Sequence, residues 1–361
     1  MSQEIKAVSV FSVAMAIIGT VIGAGYASGQ ELMQYFGDFG DMAASGLTVT
    51  GICFFIYGVI GMATARRMNN GNYAEVMSPM KNKYIGIVLD VALVLFLYGI
   101  LVIMVAGSGA LFEAQFGTSP YFGAGVCIVA TIVSCWWGTK SIVAGMNIAV
   151  PILIVGAVIV GAMVLINPQA DPEISRAIPR VPNPLLGNWF TAGVNYVTFN
   201  MLAATCAIIP LAITFKSNMK VYLSSAVGAA VLVGLAGVLV FCIVTNYAVV
   251  QGQALPMLVL AKGISPVVGY LYAIFMFAAI FSTAIGLMLA LTERIKLLPF
   301  YKPSYARPFS VVMALATLPM SKVGFITLVG TIYPFYGWIS IGIVAFMIFN
   351  YFYYAPGKNR G

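Results

Sequence analysis

The sequence predicts an all-α integral membrane protein with about ten transmembrane helices. Composition is the first reason: of 361 residues, 61% are apolar and only 8% are charged, against about 25% charged in ordinary soluble domains. Spacing is the second: apolar runs long enough to cross a hydrocarbon core, roughly 20 helical residues each, recur along the whole chain. The third is what lies between them. The longest polar stretches, 66–83 and 167–187, are too short for a soluble domain. The chain has no histidine and five cysteines (Cys53, Cys127, Cys135, Cys206 and Cys242), none in a CxxC pair. That excludes His-based triads, His general bases and His metal sites. The cysteines read as small apolar filler. No enzyme is expected, because no nucleophile–base set is visible.

Ten segments satisfy the length requirement, with turn or charge signals between them: 8–36, 43–65, 84–112, 120–138, 141–166, 188–215, 221–247, 266–293, 306–321 and 325–352. The ninth is the shortest, trimmed by Pro308 and Pro319. The first is too long and too glycine-broken for the core of a cleavable signal. Placing both termini in the cytoplasm puts only Arg176, Arg180, Lys262 and Lys322 outside, and the remaining fourteen of the 18 Lys and Arg inside. The net charge of +8 is therefore a topology signal for a cytoplasmic-type bacterial membrane. Anionic headgroups are the partner it implies, not nucleic acid.

The first segment is unusual in its middle. Gly19-Thr20-Val21-Ile22-Gly23-Ala24-Gly25-Tyr26-Ala27-Ser28-Gly29-Gln30-Glu31 has four glycines in eleven residues. Each weakens a helix by about 1 kcal/mol relative to alanine. One reading is a close packing face, since Gly19/Gly23 and Gly25/Gly29 have GxxxG spacing. The other is a broken helix lining a cavity, the only place where irregular backbone is tolerated at membrane depth. The sixth segment carries a matching polar cluster, Gly193-Val194-Asn195-Tyr196-Val197-Thr198-Phe199-Asn200, with Pro210 further on. If the ten spans divide as five plus five, these are the first spans of two inverted halves, 1–166 and 188–352, joined by a connector at 167–187 and followed by a tail at 353–361. Interrupted spans at corresponding positions of inverted halves point to a transporter binding site. Half-helix N-termini suit a carboxylate, and half-helix C-termini offer carbonyls to a hard cation.

The eighth segment adds Ala279-Ile280-Phe281-Ser282-Thr283. Alone, its hydroxyls read as bonding back to their own helix or packing neighbours; beside a helix break they become ligand candidates. Glu31 and Asp90 are the two acids placed clearly inside expected spans. Intramembrane acids are functional candidates because each costs at least about 2.5 kcal/mol centrally. For Glu31 the readings are attraction of a cation, a protonatable gate, or an interfacial acid in a wet vestibule. For Asp90 they are pairing with a nearby base, or a part in an inner gate. Tyr333-Pro334-Phe335-Tyr336 reads as packing or a gate, and residues 249–265 read as an external lid helix.

These residues resemble the amino acid–polyamine–organocation superfamily, whose fold is the leucine-transporter-like (LeuT-like) five-plus-five inverted repeat with discontinuous helices one and six. Gly19-x-x-Ile22-Gly23-x-Gly25 is similar to its unwound first helix, and Ala279-x-x-Ser282-Thr283 to the eighth-helix half of its second sodium site. The stretch from Thr20 to Glu31 is more narrowly similar to the YkvI family of bacterial membrane proteins. The resemblance implies Na+ as coupling ion, held by the carbonyls of Gly19, Ile22 and Ala279 and the hydroxyls of Ser282 and Thr283. It implies a substrate site at Gly23, Ala24, Gly25 and Tyr26, with the substrate's carboxylate near Ala24 and Gly25. Asn195, Tyr196, Thr198 and Asn200 of helix six would read its other end, within reach of Tyr98 or Ser108 of helix three. Tyr26 stands where the neurotransmitter branch has an asparagine for another sodium, and Gly29 where it has an outer-gate arginine. Proton-coupled relatives carry a helix-five lysine; this chain has only Lys140 at the entrance of that segment. The expected function is sodium-coupled symport of a small organic solute, an amino acid or related zwitterion or amine, by alternating access, without an organic cofactor. The alternatives are an amino-acid-sensing receptor of the same fold and a proton-coupled transporter. The sequence names no protein partner.

Overall fold

A computed structural model describes residues 9–137, 139–215, 217–295 and 302–355. Lys6, Lys216, Lys296, Lys358 and Arg360 of the inward-assigned bases lie outside the described residues, as do the side chains of Ala24 and Lys140. Among the described residues all regular structure is helical. Its helices are α1 (Val10–Val21), α2 (Ala24–Ser28), α3 (Gln30–Tyr35), α4 (Ala43–Met68), α5 (Tyr73–Met77), α6 (Lys83–Phe116), α7 (Pro120–Trp137), α8 (Thr139–Ile166), α9 (Pro172–Ala177), α10 (Trp189–Ala212), α11 (Asn218–Thr245), α12 (Tyr247–Val250), α13 (Pro256–Ile264), α14 (Pro266–Ile295), α15 (Ala306–Ser321) and α16 (Phe325–Tyr353).

Each of the ten expected segments falls in helix. Six helical stretches among the described residues are long and apolar enough to cross a membrane: Gly37–Met68, Lys83–Phe116, Trp189–Ala212, Asn218–Thr245, Pro266–Ile295 and Phe325–Tyr353. Shorter apolar helices occupy Val10–Val21, Pro120–Trp136 and Ile154–Ile166. Large apolar side chains such as Ile52, Val88, Leu95, Ile159, Phe241 and Ile274 face outward, as lipid-facing positions require. The 249–265 stretch contains α13, whose Met257, Leu258, Leu260 and Ala261 are buried.

Packing divides the helices. α4 packs most extensively on α10 and α11, and α1 on the same two, whereas α6 packs on α7 and α14, and α14 also on α8. α16 touches both groups, through α10 and α4 on one side and α6 on the other. The bases sort to two ends of the bundle. Arg66 meets Asn218, Arg67 donates to Tyr351 O, and Arg294 pairs with Asp90 at one end. At the other, Arg176 pairs with Asp41, and Lys262 donates to Ala114 O.

The expected interruption of the sixth segment is absent: α10 runs unbroken from Trp189 to Ala212. Its polar residues are satisfied without unwinding. Thr198 Oγ1 donates to Gly337 O at 2.8 Å, and Asn200 Nδ2 bonds back to Tyr196 O at 2.9 Å. Asn195 Nδ2 donates to Pro334 O at 2.9 Å while its Oδ1 accepts from Tyr35 Oη at 3.0 Å. Pro210 sits in the last turn, so the bond it cannot donate falls at the end of α10 and does not interrupt its middle. Asn188 caps the start by accepting from the amides of Phe190 and Thr191.

The partner helix shows the same economy. Pro334 cannot donate to Gly330 O within α16, and Asn183 Nδ2 of the connector supplies that bond at 2.7 Å. Asn350 donates to the carbonyls of Val76 and Ser78 and accepts from the Met80 amide, pinning the 73–81 loop to α16. In lipid such groups have no water to fall back on. Asn195→Ala removes the α10–α16 bond and leaves Tyr35 Oη without its acceptor, at about 1–3 kcal/mol for a buried group. A clear drop in the melting temperature of the purified protein is the expected result, and an unchanged one would show that this clamp is not structural.

Candidate binding cavity

The site begins at the glycine run of the first segment. α1 stops at Val21, and Ile22 turns to extended backbone with ψ 93°. Gly23 follows at φ −116°, ψ −167°. The Gly23 amide donates to Val21 O at 3.0 Å, so it does not serve Gly19 O as it would in a continuous helix. α2 then lasts five residues before Gly29, at φ +79°, which restarts the chain as α3. That left-handed conformation suits glycine. The first segment is thus discontinuous as expected, with two breaks.

A cavity of ≈ 1280 Å³ lies against the first break. Ile18, Gly19, Ile22, Gly23 and Gly25 line it from the broken helix, Phe199 and Asn200 from α10, Ser282 and Thr283 from α14, and Glu31 and Tyr333 close its deep end. α6, α8 and α11 supply apolar walls, including Leu97, Ile154 and Val231. The mouth lies between Phe11 and Met15 of α1 and Glu293 and Arg294 of α14. Phe11 there is 69% exposed.

The opposite face holds a smaller vestibule of ≈ 460 Å³, lined by Gln30, Gln34, Asp38, Asn183, Tyr247 and Ile326 among others. Between the two lies a packed polar and aromatic layer. Tyr196 Oη donates to Glu31 Oε1 at 2.8 Å. Tyr35 and Phe36 pack edge-on to the Tyr196 ring at 5.2 and 5.1 Å. Tyr247 Oη donates to Asp38 Oδ1 at 2.9 Å, Arg180 Nη1 donates to Gly37 O at 2.8 Å, and the guanidinium lies 3.6 Å over the Tyr247 ring. Burial raises the Tyr247 hydroxyl and lowers the Arg180 guanidinium from their ordinary values. Tyr247 therefore remains a proton donor to Asp38.

Glu31 is 3% exposed. Tyr196 is its hydrogen-bond donor, and no lysine or arginine among the described residues forms an ion pair with it. Its other oxygen lies over Gly25: a Cβ there would stand 2.5 Å from Glu31 Oε2 and 3.6 Å from the Tyr333 ring. Asp90 takes the pairing reading, accepting from Arg294 Nη1 at 2.7 Å and from Tyr73 Oη at 3.2 Å.

The structure gathers Gly19, Ile22, Gly23, Gly25, Asn200, Ser282, Thr283 and Glu31 at one cavity. Ala279 is buried behind it, its carbonyl accepting from Ser282 Oγ at 2.9 Å. Tyr196 reaches the cavity only through Glu31. Several expected substrate contacts do not line this cavity. Ser108 Oγ donates to Gly123 O at 2.8 Å, joining α6 to α7. Tyr98 lies on α6 away from the face formed by Leu93, Phe96, Leu97, Ile100 and Met104. Tyr26 Oη donates to Leu232 O at 2.8 Å. Asn195 and Thr198 point to α16. Ser108, Tyr26, Asn195 and Thr198 each have a backbone partner in this structure. The stacked pair Phe199–Tyr333, 4.6 Å apart at 8°, lines the cavity without having been assigned to a substrate site. Phe199 falls in the polar cluster of the sixth segment and Tyr333 in the Tyr333–Tyr336 aromatic stretch, both singled out in the sequence.

No family model matches the chain. It is 27% identical over 341 residues to the membrane protein YkvI of Bacillus subtilis, covering 94% of this chain and 95% of that one. YyaD of the same organism is 23% identical over 340 residues, covering 92% and 94%. Among solved structures, MhsT in complex with L-phenylalanine has a TM-score of 0.63 at 16% identity, covering 93% of this chain and 88% of that one. Inward-facing Mhp1 has a TM-score of 0.62 at 16% identity, covering 96% and 77%. A manganese transporter of Eremococcus coleocola has a TM-score of 0.56 at 11% identity, covering 97% and 80%.

Steric demand at the break gives a paired expectation. Gly25→Ala forces the buried Glu31 carboxylate to move, an overpacking cost of about 1 kcal/mol or more, whereas a Cβ at Gly23 meets nothing within 4 Å. Melting curves of the two variants should show Gly25→Ala as clearly the less stable; equal stability would mean that Glu31 does not sit over the break. The chain is a LeuT-fold membrane protein homologous to YkvI and YyaD of Bacillus subtilis.

Proposed function

We propose that the protein is a secondary transporter of a small organic solute of the amino-acid or amine class, working by alternating access with sodium as coupling ion. One observation carries this reading. A deep cavity at a broken helix opens to one end of the bundle, while a packed layer separates it from a shallow vestibule at the other end. That is the geometry of one access state, and closing one mouth while opening the other would move a bound solute across. The grouping of α1, α4, α10 and α11 apart from α6, α8 and α14 supplies two bodies that can rock against each other. The transporters of similar fold support the same reading at the level of fold analogy.

The proposed sodium site uses the carbonyls of Gly19, Ile22 and Ala279 and the hydroxyl oxygens of Ser282 and Thr283. Its support is local. Gly19 O has lost its helical donor, Ser282 Oγ and Ala279 O already lie 2.9 Å apart, and Gly19, Ile22, Ser282 and Thr283 share the cavity wall. Five uncharged oxygens suit a monovalent hard cation. A negative-inside membrane adds about 2.3 kcal/mol per charge per 100 mV to inward sodium movement, before any concentration gradient. The more basic end of the bundle, which carries the cavity mouth, is assigned to the cytoplasm by the charge rule.

Purified protein in liposomes should accumulate a labelled amino acid or amine when a sodium gradient is imposed, and not with potassium in its place. Solute binding without any flux would favour the sensor over the transporter. Sodium should also raise the melting temperature more than potassium at equal ionic strength. The double variant Ser282→Ala/Thr283→Ala should shift the sodium needed for half of that effect by about ten-fold, equivalent to ~1.4 kcal/mol. An unshifted response would leave these hydroxyls as packing groups.

A further inference from the structure

The deep end of the cavity carries one sign of charge. Glu31 is buried there, with Tyr196 as its hydrogen-bond donor and no basic side chain in ion-pair range among the described residues. A carboxylate held out of water is costly unless a positive group meets it. The one basic side chain on the cavity wall, Arg294, stands at the mouth and is bound to Asp90. Glu31 Oε2 is turned over Gly25, where the absence of a Cβ admits it. It therefore covers the backbone to which a substrate carboxylate would otherwise be assigned. α2 below it is only five residues long and is interrupted by Gly29, so it brings little helix dipole to attract an anion.

Two further features at this end suit a cation. Asn200 spends its amide nitrogen on Tyr196 O, which leaves Oδ1 as its acceptor beside the cavity. Phe199 and Tyr333 stack on one another and line the same space. Aromatic faces beside a carboxylate form a receptor for ammonium groups.

From this juxtaposition we infer that the solute is an organic cation, an amine or quaternary ammonium without a carboxylate beside its charged nitrogen, whose head is received by Glu31 beside the stacked pair of Phe199 and Tyr333. The inference rests on the reading that this cavity is the solute site. A zwitterion would set its own carboxylate against Glu31 across Gly25, in a medium where like charges repel strongly. The apolar walls from α6, α8 and α11 receive the body of the cation.

Matched pairs test it on the full chain in nanodiscs: phenethylamine against phenylalanine, cadaverine against lysine, and choline against glycine betaine, each measured by competition and by thermal stabilisation. The cation of at least one pair is expected to bind, with its carboxylate-bearing counterpart at least about ten-fold weaker, in line with a charge-assisted hydrogen bond. Glu31→Gln, which keeps the side-chain shape, should abolish that preference. A zwitterion binding as tightly as its cation overturns the inference. So does a panel in which no cation binds, or cation binding that Glu31→Gln leaves unchanged. The comparison on the unaltered protein holds even if the variant fails to fold. Flux separates the two readings. Glu31-dependent cation binding without uptake into liposomes ends the transport reading and keeps this one, whereas sodium-driven uptake of a zwitterion, with its amine excluded, does the reverse.

Discussion

The structure depends on backbone that leaves its helix in the middle of a membrane-embedded bundle. Between Val21 and Ala24 the helical ladder stops, and Gly19 O loses the donor it would have in a continuous helix. In hydrocarbon each such group costs several kcal/mol, as much as many membrane proteins can spare. The break can persist only where protein or a polar cavity surrounds it. Its placement against α14, α10 and α11 follows from that need. So does the cavity itself, because Gly19, Gly23 and Gly25 keep side-chain bulk off one side of the break while Ser282, Thr283 and Asn200 face it from the other.

Around the break, polar residues are used as fasteners between helices. Asn195, Thr198, Asn183 and Asn350 each bind a backbone carbonyl of another element. Three of these four bonds end on α16, which touches both helix groups. Without a hydrophobic drive between helices in lipid, such bonds and close packing set which elements stay together. The fasteners are dense between α10 and α16 and scarce along the apolar walls of the cavity. A bundle built this way has a stiff seam and a greasy one, and relative motion belongs to the greasy seam. The closure at the vestibule end works by different chemistry. Asp38, Tyr247 and Arg180 form a small charged cluster beside the vestibule, held in part by a cation–ring contact.

Much of this was legible in the sequence, for stated reasons. Helices in lipid must satisfy their own backbone, so hydropathy located every long helix. Glycine density located the first break, because no other residue type tolerates φ +79° at Gly29 or Glu31 pressed against Gly25. The sixth segment misled. Asn195, Thr198 and Asn200 carry the same polarity whether they line a break or clamp a neighbouring helix, and the carbonyls that satisfy them lie about 139 positions away for two of the three. Tyr98 and Ser108 failed for a simpler reason: a helix has several faces, and a weak moment along α6 leaves the inward face unspecified. The Asp38–Tyr247 pair spans 209 positions and was not legible at all.

Glu31 shows how one side chain can reverse the meaning of a motif. An unwound helix with an exposed half-helix start is by itself an anion site, and that was the basis for placing a carboxylate at Ala24 and Gly25. Here the chain supplies its own carboxylate to that place, six residues further along the same segment. With Glu31 folded back, the first oxygen encountered above Gly25 is an acceptor, not a backbone donor. Tyr196 satisfies the far oxygen and holds the near one in register. Neither Phe199 nor Tyr333 can donate a strong bond from its ring face, and both favour positive charge. On the cation side of the break, Gly19, Ile22, Ser282 and Thr283 also offer oxygens. On the proposed reading a sodium ion and a cationic solute share this cavity, and the attraction of the Glu31 carboxylate for each would offset part of their mutual repulsion.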